Sequence, residues 1–211
     1  ASTTPMLRAQ APDSARIERL KAEALTKVDA RAKLVQEIVD QLFSYAELGM
    51  QVFETQKYIT GLLEQNGFKV TRGYAGMPSA WIARWESPAG AKPEISLGSD
   101  VDGIPQASNK PAYAFHEAQV DGAPGHGEGH NSGQAVNIAA ALVVKELMIR
   151  DKIAGTLVLW PGIAEEQMAG KAFLVREGLF KNTDVALFTH VGNDLGVSWG
   201  QSGSTALISA I

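Results

Sequence analysis

Apolar residues recur at helical spacing from Pro12 onward. Ile17, Leu20, Ala24 and Val28 form a first stripe, and Asp13 or Ser14 can cap its start. Leu34, Val35, Ile38, Val39, Leu42 and Phe43 continue it after a break near Asp29. Tyr58, Ile59, Leu62 and Leu63 mark another helix, and Asn66-Gly67 supplies its stop signal. These stripes read as core packing.

Strand patterns follow at Lys69–Tyr74, Ala80–Trp85 and Glu94–Gly98. Residues 102–133 show little periodicity and many Gly, Pro and Asn. Loops that long inside a compact domain are usually functional. Val136, Ala139, Ala140, Val143, Val144 and Leu147 then mark a helix. A strand at Thr156–Trp160, a helix near Lys171–Glu177 and a strand at Val185–Thr189 complete the series. Strands alternating with helices predict an α/β fold, a mostly parallel central sheet covered on both faces.

Composition narrows the classes. At 211 residues the chain is long enough for one substantial core. Its 45% apolar and 20% charged content argues against disorder. A formal charge of −4 offers no basic surface for nucleic acid. The absence of cysteine excludes disulfides, thiolate ligands and a cysteine nucleophile, and fits an oxidising compartment. No apolar run approaches the roughly 18 residues of a membrane span, so no membrane partner is expected. The chain opens at Ala1 with a Ser/Thr/Pro/Ala-rich stretch to about Ser14. That reads as a mature end after signal-peptide removal, or as a trimmed start. A periplasmic or secreted location is therefore expected, cytoplasmic otherwise, with residues 1–14 as a disordered lead-in.

The chemistry concentrates in residues 124–133, Pro-Gly-His-Gly-Glu-Gly-His-Asn-Ser-Gly. His126, Glu128 and His130 are separated only by glycine, whose backbone freedom lets polar side chains fold around one point. Imidazole and carboxylate are the ligands that zinc and related ions take. Asp100-Val-Asp102 ends one predicted strand, Glu165-Glu166 lies beyond another and His190 ends a third. In open α/β sheets ligands bind beyond the carboxyl ends of the strands, so four clusters point to one rim.

Each cluster also has a plain reading: a solvated loop, an acidic turn before a helix, a structural imidazole, or aspartates capping a turn. His116 is read as surface. Neighbouring residues in extended chain project to opposite sides, so Glu165 and Glu166 should do different jobs. One can ligate a metal, while burial and nearby negative charge raise the pKa of the other towards a useful base. Asp102 can hold a ligating imidazole through its distal nitrogen. The whole set matches metal-assisted hydrolysis.

Four segments then carry a resemblance: Ser99-Asp-Val-Asp-Gly-Ile-Pro105, Gly125-His-Gly-Glu-Gly-His-Asn131, Gly162-Ile-Ala-Glu-Glu166 and Leu187-Phe-Thr-His-Val191. In order and spacing, from about Asp29 to the end, the chain resembles the dinuclear zinc amidohydrolases and metallopeptidases of the aminoacylase, carboxypeptidase G and hippurate hydrolase family. It is most similar to their aminobenzoyl-glutamate hydrolase-like branch. The resemblance implies a three-layer αβα catalytic domain of zinc-exopeptidase type over residues 15–211, its N-terminal part only. It implies Glu128, His130, Glu166 and His190 as metal ligands, Glu165 as general base and Asp102 as support of the metal shell. His126 and Asn131 match motif residues outside the ligand shell. Two divalent ions, zinc or alternatively manganese or cobalt, are implied as cofactors. The implied substrate is a small amide or peptide, such as an N-acyl or N-aroyl amino acid.

Two departures stand out. Glu128 replaces a cysteine that bridges the metals in related amidohydrolases, and a carboxylate is the harder ligand. No His follows His190, whereas the family takes a further ligand from its C-terminal portion. Family members are about twice as long, and insert a lid that forms the dimer interface after a stretch like Gly203–Ile211. The chain is expected to be the N-terminal part of a longer homodimeric or oligomeric protein, with an incomplete site. The competing reading is a non-catalytic relative that binds a small ligand or serves assembly.

Overall fold

A computed structural model describes residues 13–193 and 196–198. Of the expected lead-in over residues 1–14, residues 1–12 lie outside the described residues, as does the stretch Gly203–Ile211, while Ser14 already belongs to a helix. Asp13 caps the first helix, α1 (Ser14–Asp29), by accepting from the backbone N–H groups of Ala15 and Arg16. The chain breaks at residues 30–31 and resumes as α2 (Ala32–Tyr45), which buries Ile38 and Leu42. Helix α3 (Phe53–Gln65) buries Ile59 and Leu63 and gives way at Asn66, before Gly67 at φ +79°.

The strands are β1 (Lys69–Arg72), β2 (Trp81–Glu86), β3 (Glu94–Asp100), β4 (Thr156–Gly162) and β5 (Val185–Phe188). The predicted first strand ends early, because residues 74–76 form a 3₁₀ turn. Two further helices are α4 (His130–Arg150) and α5 (Gly170–Arg176).

The sheet runs β1-β2-β4-β3-β5. Strand β3 is parallel to both β4 and β5, while β2 is antiparallel to β1 and to β4. The sheet is therefore mixed, with its parallel half at the β5 side. The expected mostly parallel sheet is corrected at the other edge. There β1 and β2 join by a connection too short for the crossover a parallel pair needs, so they pair as neighbours running opposite ways.

Three layers result. Alternate residues of a strand face opposite sides. On one side a Cβ added at Gly133 of α4 would meet Ser99. On the other, Trp160 Nε1 donates to Ser96 Oγ at 2.8 Å, and Lys171 of α5 reaches Asp100. Helix α4 is thus covered by the sheet below and by α1 and α2 above. It is long and apolar enough to pass for a membrane span, but 61% of its most apolar window is buried in the domain, as a core helix requires. Trp81, Ile38, Leu42, Ile59, Ile138, Leu157 and Leu159 are among the most deeply buried side chains. Their packing holds the strand ends, and the loops that leave them, in fixed register.

Candidate metal centre

All four sequence clusters leave the same end of the parallel strands. Asp102 follows β3, Glu165 and Glu166 follow β4, His190 follows β5, and His130 opens α4. Gly129 precedes it at φ +73°, a left-handed conformation that suits glycine. Any larger residue there would also strike Val191.

His130 is 3% exposed. Its Nδ1–H donates to the main-chain carbonyl of Asp102 at 2.9 Å, which leaves a lone pair on Nε2. His190 is arranged in the same way, its Nδ1 donating to the Val191 carbonyl at 2.7 Å. The two Nε2 atoms face each other at 3.2 Å. Two lone pairs cannot hydrogen bond to one another, whereas a cation between or beside them would satisfy both. Two nitrogens bound to one tetrahedral zinc at its usual bond length lie about 3.3 Å apart. Glu128 Oε2 stands 4.0 Å from His130 Nε2 and 3.9 Å from His190 Nε2. Its side chain is 54% exposed, so a small rotation would close the triangle.

Glu165 and Glu166 sit in a turn, residues 165–167, rather than in extended chain. The expected opposite projection is corrected by that turn. Both glutamates offer an oxygen within a cluster whose ligand atoms, including those of Glu128 and His130, all lie within 4.8 Å of one another. What separates them is solvent: Glu165 is exposed, whereas the Glu166 side chain is 13% exposed. Glu166 Oε1 is buried without a hydrogen-bond partner and lies 3.7 Å from His130 Nδ1. Burial first, then the Glu128 charge, pushes the Glu166 carboxyl above its ordinary pKa. A bound cation would relieve both causes.

Asp102 is fully buried. Its carboxylate Oδ2 accepts from the Glu166 amide at 3.0 Å, while Oδ1 is 3.7 Å from His130 Nδ1 and unpartnered. The imidazole is therefore held by the Asp102 main-chain carbonyl, while the Asp102 carboxylate is turned towards Glu166. Thus Asp102 fixes both the tautomer of one cluster member and the backbone of another.

His126 and Asn131 point elsewhere. His126 Nε2 donates to the Leu42 carbonyl at 3.1 Å, and burial lowers its pKa to about 4, so the ring is neutral. Asn131 Nδ2 donates to the Val39 carbonyl at 3.2 Å. Both anchor the glycine-rich loop to α2. His116 is exposed. A cleft of about 820 Å³ lies between the end of α2 and residues 107–127, and His126 and Gly127 of the glycine-rich loop line it.

Three residues were missed by the sequence reading. Gln134 and Asn137 share a face of α4 with His130, at positions i+4 and i+7. Gln134 Nε2 donates to the Trp160 carbonyl at 3.0 Å, and Asn137 Nδ2 to the Gly98 carbonyl at 2.9 Å. Thr189 Oγ1 donates to Asn137 Oδ1 at 2.7 Å. These bonds stitch the ends of β3, β4 and β5 to the helix that carries His130. Polar residues at i, i+4 and i+7 inside an apolar helix were the available signal. The third missed residue is Lys171, whose ammonium pairs with Asp100.

No protein-family model matches the chain. It is 32% identical over 163 residues to a component of the p-aminobenzoyl-glutamate hydrolase of Escherichia coli, covering 77% of this chain and 33% of that protein. It is 27% identical over 160 residues to N-acetyl-L-cysteine deacetylase of Bacillus subtilis, covering 74% of this chain and 36% of that one. Among solved structures it shares the fold of a dinuclear metal-binding peptidase of the M20 family from Bacillus subtilis. That match has a TM-score of 0.67 and 24% identity, over 80% of this chain and 45% of the other. The chain spans about a third of the length of the curated relatives it matches.

Proposed function

The chain belongs to the M20 family of dinuclear metal peptidases and amidohydrolases, and on that premise we propose that its protein hydrolyses amide bonds in N-acyl or N-aroyl amino acids or small peptides. The observation that carries this reading is the pair of Nε2 atoms at 3.2 Å, each imidazole having its Nδ1 committed to a carbonyl. The names of the relatives favour catalysis over a purely ligand-binding role. They include an aminobenzoyl-glutamate hydrolase, a dipeptidase and a deacetylase.

Glu128, His130, Glu166 and His190 would hold two divalent cations. A cation there polarises the scissile carbonyl and makes water a stronger nucleophile near neutral pH. Zinc fits the imidazoles, and the carboxylate at 128 accommodates manganese or cobalt as well. Glu165, the solvent-facing carboxylate of the turn, takes the proton from the attacking water on a carboxylate oxygen. It then delivers that proton to the leaving nitrogen. Asp102 keeps His130 in its Nδ1–H form throughout, so that Nε2 always faces the pocket. The same reading makes the protein a homodimer or higher homo-oligomer.

The test is turnover of aminobenzoyl-glutamate, N-acyl amino acids and dipeptides by the full-length protein, with and without a chelator. Chelation should abolish activity, and Glu165→Gln should lower kcat by about 10²–10⁴-fold while metal content is kept. Turnover indifferent to both manipulations would refute the proposal.

A further inference from the structure

Asp100 is the best-placed carboxylate that no assigned role uses. It closes β3, is 2% exposed, and belongs to a cluster with His130 and His190 whose ligand atoms all lie within 4.8 Å of one another. Room for it is made by its partner across the ladder, Gly162 of β4. A methyl group at position 162 would overlap Asp100 Oδ1. Position, burial and neighbours are those of a third ligand beside the two imidazoles.

Its charge is already answered. Lys171 Nζ donates to both carboxylate oxygens at 2.7 Å. The same ammonium stands over the Phe188 ring, 4.7 Å from its centroid, an attraction that adds to the ion pair. Lys171 lies in the first turn of α5, downstream of the Glu165–Glu166 turn, and among the described residues its hydrogen bonds go to Asp100. An ammonium shared by both oxygens of a buried carboxylate neutralises the anion and fixes its orientation.

From this geometry we infer that Lys171 is a latch. It keeps both Asp100 oxygens engaged, so that the pocket takes its carboxylates from Glu128 and Glu166 and not from the strand end. Lys171 acts through Asp100 and is a positioning residue. The inference rests on the metal-centre reading given above.

Removing the ammonium would leave a buried carboxylate with no countercharge beside two imidazole lone pairs. That state is unfavourable without a cation and is relieved by one, so by linkage cation affinity must rise. Removing both members of the pair leaves neither the strain nor the additional ligand. It should return affinity to its original level.

The experiment is titration calorimetry of chelator-stripped full-length protein with Mn²⁺ and with Zn²⁺, paired with thermal melts at each metal concentration. Lys171→Met should bind Mn²⁺ about tenfold or more tightly than the parent, with a larger metal-dependent rise in Tm. Lys171→Arg, which keeps the charge, should behave like the parent. The double variant Asp100→Asn with Lys171→Met removes the buried pair altogether and so does not strand a charge if the single variant folds poorly. It should bind within about threefold of the parent, since a ligand's loss would cost tenfold or more. A Lys171→Met protein with unchanged or weaker affinity would overturn the latch, as would a tenfold loss in the double variant, which would make Asp100 a working ligand. If the parent binds neither ion, the metal centre fails and the latch with it. Parent binding that Lys171→Met leaves unaltered removes the latch alone.

Discussion

His130 and His190 present their Nε2 atoms to each other at 3.2 Å, while each Nδ1 donates to a main-chain carbonyl. Neither ring can satisfy the other in that tautomer. A structure in which a core helix, three parallel strands and a glycine-rich loop converge on such a pair has a backbone organised to receive a positive charge. The buried, unpartnered Oε1 of Glu166 would have the same remedy.

The supports of that pair should matter almost as much as the pair. Asn137 bonds the Gly98 carbonyl and Thr189 Oγ1, directly before His190. Asn137→Ala strips Thr189 Oγ1 of its acceptor and leaves the Gly98 carbonyl only the Thr189 amide, and should cost about 1–3 kcal/mol by denaturant unfolding. Zinc affinity, followed by calorimetry, should fall about tenfold as His190 loses its mooring. Unchanged affinity would show that Thr189 does not position the imidazole.

Ligand hardness at position 128 should set metal preference. Glu128→Cys replaces an exposed carboxylate with a thiolate, which prefers zinc to manganese. In competition dialysis the variant should shift its zinc-to-manganese ratio upward relative to the parent. A ratio that does not move would remove Glu128 from the ligand set.

The pattern of apolar residues was enough to find α1, α2 and α3 and to place the break near Asp29, because α2 and α3 bury a single stripe and α1 half-buries one. It could not give strand direction, since β1 and β2 show the same alternation whichever way their neighbours run. Along α4 the apolar stripe misled in detail: Val136 and Val144 are exposed, whereas Gln134 and Asn137 are buried. Polar side chains that bond strand-end carbonyls look, in sequence, like the outer face of a helix. The spacing of His126, Glu128 and His130 announced a site, but hydrogen bonds to Leu42 and Asp102 decide which imidazole faces it. The turn at Glu165–Glu166 hid their shared location, and Lys171 is remote in sequence from the Asp100 it holds.

Acid sensitivity should have an identifiable contributor away from the centre. Asp184 accepts from the Glu94 amide at 2.7 Å and pairs with Lys92, and these hold its carboxyl below the ordinary range, the amide first. A folded pKa below the unfolded one adds stability that is fully present above the unfolded value, about 4, and is lost as pH falls through the folded value. Asp184→Asn should therefore lower Tm at pH 7, with the difference from the parent closing on acidification below about pH 4. A gap constant with pH would assign the loss to packing instead.

The most direct measurement is a crystal structure of the zinc-loaded full-length protein, with anomalous scattering collected at the zinc edge. The expected result is a zinc ion bonded to Nε2 of both His130 and His190, at about 2.0–2.1 Å from each. Zinc bound through either Nδ1, or seated away from both rings, would contradict the metal centre described here.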